Sequence, residues 1–203
     1  MTSTLPLATR GSALALWQAE TVQRLLQEQH DGLEAPIVTV ESSGDLDQES
    51  ALARFGRIGI FTVEVDRAVL DGRALAGVHS LKDMTTTLQE GIVLAAVLPR
   101  GPVEDVLVSP AGHTLESLPQ GARVATGSLR RRALLLAARP DLEVVEIRGN
   151  VDTRLAKLER GEADAIVLAR AGLVRLGLHA DNPHSLLARP EFLSAVGQGI
   201  VGI

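Results

Sequence analysis

Two prolines and a glycine within four residues, Pro99-Arg100-Gly101-Pro102, interrupt the chain near its middle. Such a segment neither continues a helix nor sits in a central strand, so it divides the chain into two folding regions. On both sides short apolar runs alternate with helical patterns. Before the division, residues 5–9, 36–41, 75–78 and 92–98 read as strands. A helix follows Ser12, a plausible N-cap, with Leu14, Trp17, Leu25 and Ala15, Val22, Leu26 at helical spacing. Residues 42–50 read as a polar loop, and Phe61, Val65 and Val69 mark a second helix ending at Asp71-Gly72. Beyond the division, residues 106–109, 123–126, 143–148 and 165–169 read as strands and 128–138, 151–160 and 171–176 as helices, the last stopped at Gly177. Strands alternating with helices predict parallel α/β layers.

The composition supports that architecture. One Trp, three Phe and no Tyr leave Leu, Val, Ile and Ala to build the core, a palette suited to sheets covered by helices. A formal net charge of −5 and the scarcity of stacking aromatics argue against nucleic-acid binding. No apolar run is long enough to span a membrane, and Met1-Thr2-Ser3-Thr4 lacks the basic and apolar regions of an export signal, so the expectation is a cytoplasmic protein that engages no membrane. There is no cysteine among the 203 residues, which excludes disulfides, thiolate metal sites, cysteine nucleophiles and any cofactor joined through sulfur to this chain. No metal site is expected.

Charged residues gather where strands end. His79-Ser80-Leu81-Lys82-Asp83 follows an apolar run and puts a cation beside a carboxylate at the edge where open α/β sheets place ligands. An ordinary exposed pair at a turn is the bland alternative. Ala8-Thr9-Arg10-Gly11-Ser12 is echoed by Ala125-Thr126-Gly127-Ser128, each between a strand and a leucine-bearing helix. Two similar domains would explain the echo, and so would a chance likeness of short turns. Arg130, Arg131 and Arg132 fall in a first helical turn, where the dipole disfavours cations. A ligand carboxylate or phosphate offsets that penalty; a solvated basic face and a nucleic-acid surface are the other readings. In Arg148-Gly149-Asn150-Val151-Asp152-Thr153-Arg154 the Gly-Asn pair makes a turn, Asp152 serves the helix N-terminus, and Arg154 either reaches a ligand or pairs with an acid such as Glu159. Together Arg10, Lys82, Arg130, Arg131, Arg148 and Arg154 suit a substrate with several carboxylates around one crevice, with Asp83 as an ionised acid among cations.

These segments, with Ser43-Gly44-Asp45 and Ala195-Val196-Gly197-Gln198-Gly199, resemble the porphobilinogen deaminase (hydroxymethylbilane synthase) family from Ala8 to the last residue. The resemblance implies a monomeric transferase of tetrapyrrole and heme biosynthesis. It would condense four porphobilinogen units, through linear polypyrroles, into hydroxymethylbilane with release of ammonia. By similarity Asp83 is the catalytic acid, and Arg10, Ser12, Lys82, Thr126, Ser128, Arg130, Arg131, Arg148 and Arg154 hold carboxylates of substrate and growing chain. Asp45, His79, Ser80, Asn150 and Gln198 would complete the surroundings. The family fold implies two domains of the type II periplasmic-binding kind around a cleft: an incomplete first domain, 1–98 plus 199–203, and a second, 99–198. The family's third domain, which carries a dipyrromethane cofactor on a cysteine, is expected to be absent. The family's usual Gly-Gly-Lys-Gly-Leu-Phe is here Gly56-Arg57-Ile58-Gly59-Ile60-Phe61, Met84-Thr85-Thr86 stands for Val-Pro-Thr, and Gly127 for Ser or Thr. These departures leave two further readings open: a noncatalytic homologue that binds pyrroles or another polycarboxylate, and a solute-binding module, which the missing export signal disfavours.

Overall fold

The computed structural model describes residues 3–41, 62–187, 190 and 192–203. They form two compact units, one made of 3–41, 62–101 and 199–203, the other of the described residues between 102 and 198. Ser43, Gly44, Asp45 and the 56–61 segment lie outside the described residues.

In the first unit a short parallel pair joins β1 (Ser3–Thr4) to β3 (Leu33–Glu34). A three-stranded parallel sheet places β2 (Leu7–Arg10) between β4 (Ile37–Val40) and β5 (Ala76–Gly77). Alternation along β2 sends Leu7 to one face and Ala8 to the other, so each face needs its own cover. On the Leu7 side it is α1 (Ala13–Gln29), which contributes Ala19 and Val22 to a cluster with Ala35, Val78 and Val201. On the Ala8 side it is α2 (Val63–Leu70), whose Val65 and Ala68 pack with Val40 and Ala74. The small residues Ala15 and Ala19 are buried on α1, while Leu14 and Trp17 stay half-buried, because alanines let the helix approach the sheet closely. A Cβ on Gly77 would lie 2.9 Å from both Val65 Cγ1 and His79 Nε2, so the close fit of α2 on β5 requires glycine there.

His79 and Ser80 follow β5, as the sequence suggests, and form a short strand of their own: β6 (His79–Ser80) pairs antiparallel with β12 (Val201–Gly202). A single 3₁₀ turn, Leu81–Asp83, comes next. The expected strand at 92–98 is also corrected. It is irregular, bridging Gly202 only at Val97, although Ala95 and Leu98 N–H groups donate to Ile203 and Val201 carbonyls at 2.8 and 3.0 Å.

The second unit is built on a five-stranded sheet in the order β11 (His184–Leu187), β7 (Asp105–Val108), β10 (Ala165–Ala169), β8 (Arg123–Ala125), β9 (Glu143–Val145). It is mixed rather than purely parallel, since β7 runs antiparallel to both β10 and β11. The remaining pairs are parallel. Both faces are covered, which is why β7 and β10 read as unbroken apolar runs. Leu107, Val124 and Val167 face a cluster with Leu135 of α3 (Leu129–Ala138). Val106, Val108, Ile166 and Leu168 face one with Leu155 and Leu158 of α4 (Val151–Glu159) and Leu173 of α5 (Arg170–Arg175). The strands expected up to Thr126 and Arg148 stop short, at Ala125 and Val145, leaving those residues to the turns. No helix among the described residues is long and apolar enough to cross a membrane.

Candidate carboxylate-binding and acid site

Two strand-to-helix turns share a serine N-cap. In the first unit the Ser12 hydroxyl accepts from the Ala15 N–H at 3.3 Å; in the second the Ser128 hydroxyl accepts from the Arg131 N–H at 3.4 Å. Each serine therefore satisfies one of the orphan donors at its helix start. The threonines of the two turns are buried. Thr9 donates to the Val78 carbonyl at 3.2 Å, and Thr126 Oγ1 accepts from the Ser128 N–H at 3.2 Å. What the sequence echo repeats is the serine cap, while the two threonines bond differently. Arg10 ends β2 and is half-buried.

Around the second residue group of the first unit the structure sorts inward from outward. His79, expected among the residues surrounding the site, is 7% exposed and its Nε2 lies 3.2 Å from Asp66 Oδ1 on α2. That placement follows from strand alternation, which turns His79 inward. Ser80 is half-buried and accepts from Nε2 of the buried Gln18 at 2.9 Å. The Leu81 N–H donates to the Ile200 carbonyl at 3.0 Å, so the turn bearing Lys82 and Asp83 is fastened from behind by the returning chain. Lys82 is half-buried and Asp83 exposed. Among the described residues no hydrogen bond or ion pair reaches the Asp83 carboxylate.

A second acid, Asp105 in the second unit, is held among cations, and the sequence reading did not single it out. Its side chain is fully buried at the head of β7. Oδ1 accepts from Arg131 Nε at 3.1 Å, Arg131 Nη2 at 2.7 Å and Gln198 Nε2 at 3.0 Å, while Oδ2 accepts from Arg130 Nη2 at 2.7 Å. Burial alone would raise the Asp105 pKa, but the charge and hydrogen bonds of Arg131, with those of Arg130, outweigh it and hold the carboxyl below its ordinary value.

Each arginine of the triplet has its own fate. Arg131, 6% exposed, also donates Nη1 to the Val167 carbonyl at 3.0 Å. Arg130 keeps 28% of its side chain exposed and donates Nη1 to the Leu193 carbonyl. Arg132 is exposed and reaches the Val144 carbonyl at 2.8 Å. The offset demanded by cations at a helix start is therefore an internal carboxylate, which none of the sequence readings contained. The available signal was an acid, Asp105, at the head of the apolar run Val106-Leu107-Val108.

The third turn carries Arg148, 2.8 Å from Glu146 through its Nε. Lys157 Nζ donates to the Arg148 carbonyl at 3.2 Å and Arg154 Nε to the Gly149 carbonyl at 2.8 Å. Arg154 thus braces the turn. Gly149 has φ +102°, and a Cβ there would lie 2.6 Å from Thr153 Cγ2, so glycine is required. Asn150 is the N-cap residue of α4 and has extended backbone. Asp45 lies outside the described residues.

Residues 5–203 match the family model described as porphobilinogen deaminase, dipyromethane cofactor binding domain. Porphobilinogen deaminases from Nitratidesulfovibrio vulgaris strain DP4 and Xanthomonas axonopodis pv. citri strain 306 are 50% and 51% identical, covering 98% and 99% of this chain. One from Moorella thermoacetica is 50% identical over 98% of it. The chain spans 63–66% of the length of these relatives. Among solved structures, the methionine binding protein MetQ superposes with a TM-score of 0.55 at 16% identity, covering 98% of this chain and 82% of MetQ. An amino acid ABC transporter substrate-binding protein from Streptococcus pneumoniae superposes at 0.50 and 14% identity, covering 99% and 80%. These likenesses concern the fold, that of periplasmic-binding proteins. With the family model matched from Leu5 to Ile203, and relatives half identical over nearly all of it, the chain belongs to the porphobilinogen deaminase family.

Proposed function

We propose that this chain supplies the acid and the carboxylate-binding residues for condensing porphobilinogen units into hydroxymethylbilane, with ammonia released at each step. The observation that carries the reading is Asp83: an exposed carboxylate, beside Lys82, on a turn fastened from behind, with no partner among the described residues. An acid in that state is open to a substrate. Asp83 assists departure of the protonated amine and stabilises the methylene-pyrrole cation that remains, holding it by charge until a neighbouring pyrrole carbon attacks. Arg10 and Lys82 of the first unit, and Arg130, Arg131, Arg148 and Arg154 of the second, bind the acetate and propionate groups, with Ser12, Thr126 and Ser128 presenting helix-start donors. The protein is proposed to act as a cytoplasmic monomer, without nucleic-acid or membrane partners.

The dipyrromethane cofactor named by the family supplies the primer on which the chain grows. Its carboxylates suit the arginines, but no residue among the 203 can form a thioether, so the donor set does not fit covalent attachment and no step is derived through it. The second reading is a noncatalytic binder of pyrroles or another polycarboxylate. Calorimetric titration with porphobilinogen, followed in the same mixture by assay of its consumption, separates the readings. Binding with consumption supports condensation, binding without consumption supports the noncatalytic reading, and no heat overturns both.

A further inference from the structure

Among the described residues the chain passes between units at 101–102 and at 198–199, and each unit ties its own side with a bond. The Gly101 N–H donates to the Gly199 carbonyl at 2.9 Å within the first unit, and Gln198 Nε2 donates to the Val103 carbonyl at 2.7 Å within the second. The same Gln198 nitrogen reaches Asp105 Oδ1. Asp105 therefore joins the returning segment to the arginines at the start of α3.

Its two oxygens divide the work. Oδ1 serves Arg131 and Gln198, all three groups being buried, while Oδ2 serves Arg130. Arg131 is thereby fixed inside. Arg130 is tied through both terminal nitrogens, to Asp105 and to the Leu193 carbonyl, yet keeps part of its side chain in solvent. Two guanidinium groups and one carboxylate leave a net positive charge, so the cluster still attracts an anion. An arginine already held in one rotamer does not have to be ordered when the anion arrives, which spares the binding step that entropy.

We propose that Asp105 is a positioning residue: it presents Arg130, through Oδ2, as the ordered outward cation of the second unit and anchors that cation to the Gln198 crossing. The proposal rests on the reading that Arg130 binds a ligand carboxylate. It assigns Asp105 no contact with substrate. A purely structural role for Asp105 would require only that it neutralise Arg131.

Two measurements on the whole 203-residue chain decide it. Calorimetry with porphobilinogen should show Asp105→Asn weakening binding about tenfold or more, with Asp105→Asn/Arg130→Gln no weaker than Arg130→Gln alone, because both changes remove one presented cation. Wild-type affinity in Asp105→Asn, or losses that multiply in the double variant, overturns the proposal. Arginine ¹⁵N NMR, with Arg130 assigned through Arg130→Gln, should show slow guanidinium rotation in the wild type and fast rotation in Asp105→Asn. Equal rotation in the two overturns it. If wild-type chain does not bind porphobilinogen, the functional reading fails and the NMR result alone judges Asp105. If Asp105→Asn does not fold, Asp105→Asn/Arg131→Met removes the buried cation together with its counter-ion. Arg130 should still rotate fast there, and slow rotation would refute its tether to Asp105.

Discussion

Asp83 and Asp105 are both aspartates near the ends of strands and close to arginines or lysine, and the structure gives them opposite lives. Asp83 is exposed, on a 3₁₀ turn, with no partner among the described residues. Asp105 is fully buried and receives hydrogen bonds from three side chains. The contrast teaches that the fold can consume an acid among cations instead of offering it to a ligand. Coulomb attraction is strongest where water is excluded, and there the partners hold each other. The acid free to do chemistry is the one the fold leaves unsatisfied.

The sharpest break of this comparison is a pair of substitutions with crossed outcomes. Asp83→Asn should lower porphobilinogen consumption by about 10²–10⁴-fold, the range for a positioned acid, while urea unfolding stays within about 0.5 kcal/mol of wild type. Near-normal consumption would remove Asp83 from the chemistry. Asp105→Ala should do the reverse to stability, costing about 3–5 kcal/mol, since it strands a buried guanidinium. Unfolding free energies within 1 kcal/mol of wild type, about the size of an ordinary surface change, would show that Arg131 finds another partner.

Acid titration sharpens the same contrast. The Asp105 carboxyl has its pKa lowered in the folded protein, so its stabilisation is complete above the ordinary aspartate value and is lost as pH falls through the lower folded value. Stability measured from neutral pH downwards should fall in that acid window, and less steeply in Asp105→Asn. Asp141, hydrogen-bonded by Arg139 and lowered to about 2, loses its share in the same direction, so Asp141→Asn serves as the surface control. An acid limb unchanged in Asp105→Asn would contradict the assignment.

A smaller effect is expected at Gly149, where alanine must adopt φ near +102° and meet Thr153. Gly149→Ala should destabilise by about 1–3 kcal/mol, read by urea unfolding, with the Arg148 and Arg154 turn displaced. The smallest concerns the echoed turns. Ser12→Ala and Ser128→Ala should each cost about 1 kcal/mol, and nearly equal losses would support one design used twice. A negligible loss at either serine would mean that its cap bond, long in both turns, contributes little.

Much of the fold was legible because its signals are local. Ser12 and Ser128 announced helix starts, Gly72 and Gly177 helix ends, and the apolar run 165–169 a buried strand. Strand direction was not legible: residues 106–108 carry the same apolar pattern whichever way they run, and β7 proved antiparallel to both neighbours. Nor was the edge strand His184–Leu187 anticipated, since a half-exposed sequence of mixed polarity forms a strand only when β7 offers it a ladder. The same holds for Val201–Gly202, a two-residue strand defined by its partner His79–Ser80.

At the candidate site the sequence grouped the right residue types but not their pairings. The triplet at 130–132 is a run of identical side chains, yet its members become a tethered cation, a buried one and an exposed one as the helix turns them through successive directions. What the sequence determined by itself is whatever depends on neighbours along the chain: caps, turns, the break at Pro99 to Pro102, the absence of any sulfur anchor, and the motifs that place the chain in its family. What only the tertiary structure decided is which charges meet. Asp105 and Arg131 are 26 positions apart, and Asp105 and Gln198 are 93 apart. Partners that distant are joined by the sheet's register, and their burial, which sets how strongly they hold, exists only once the sheet has formed.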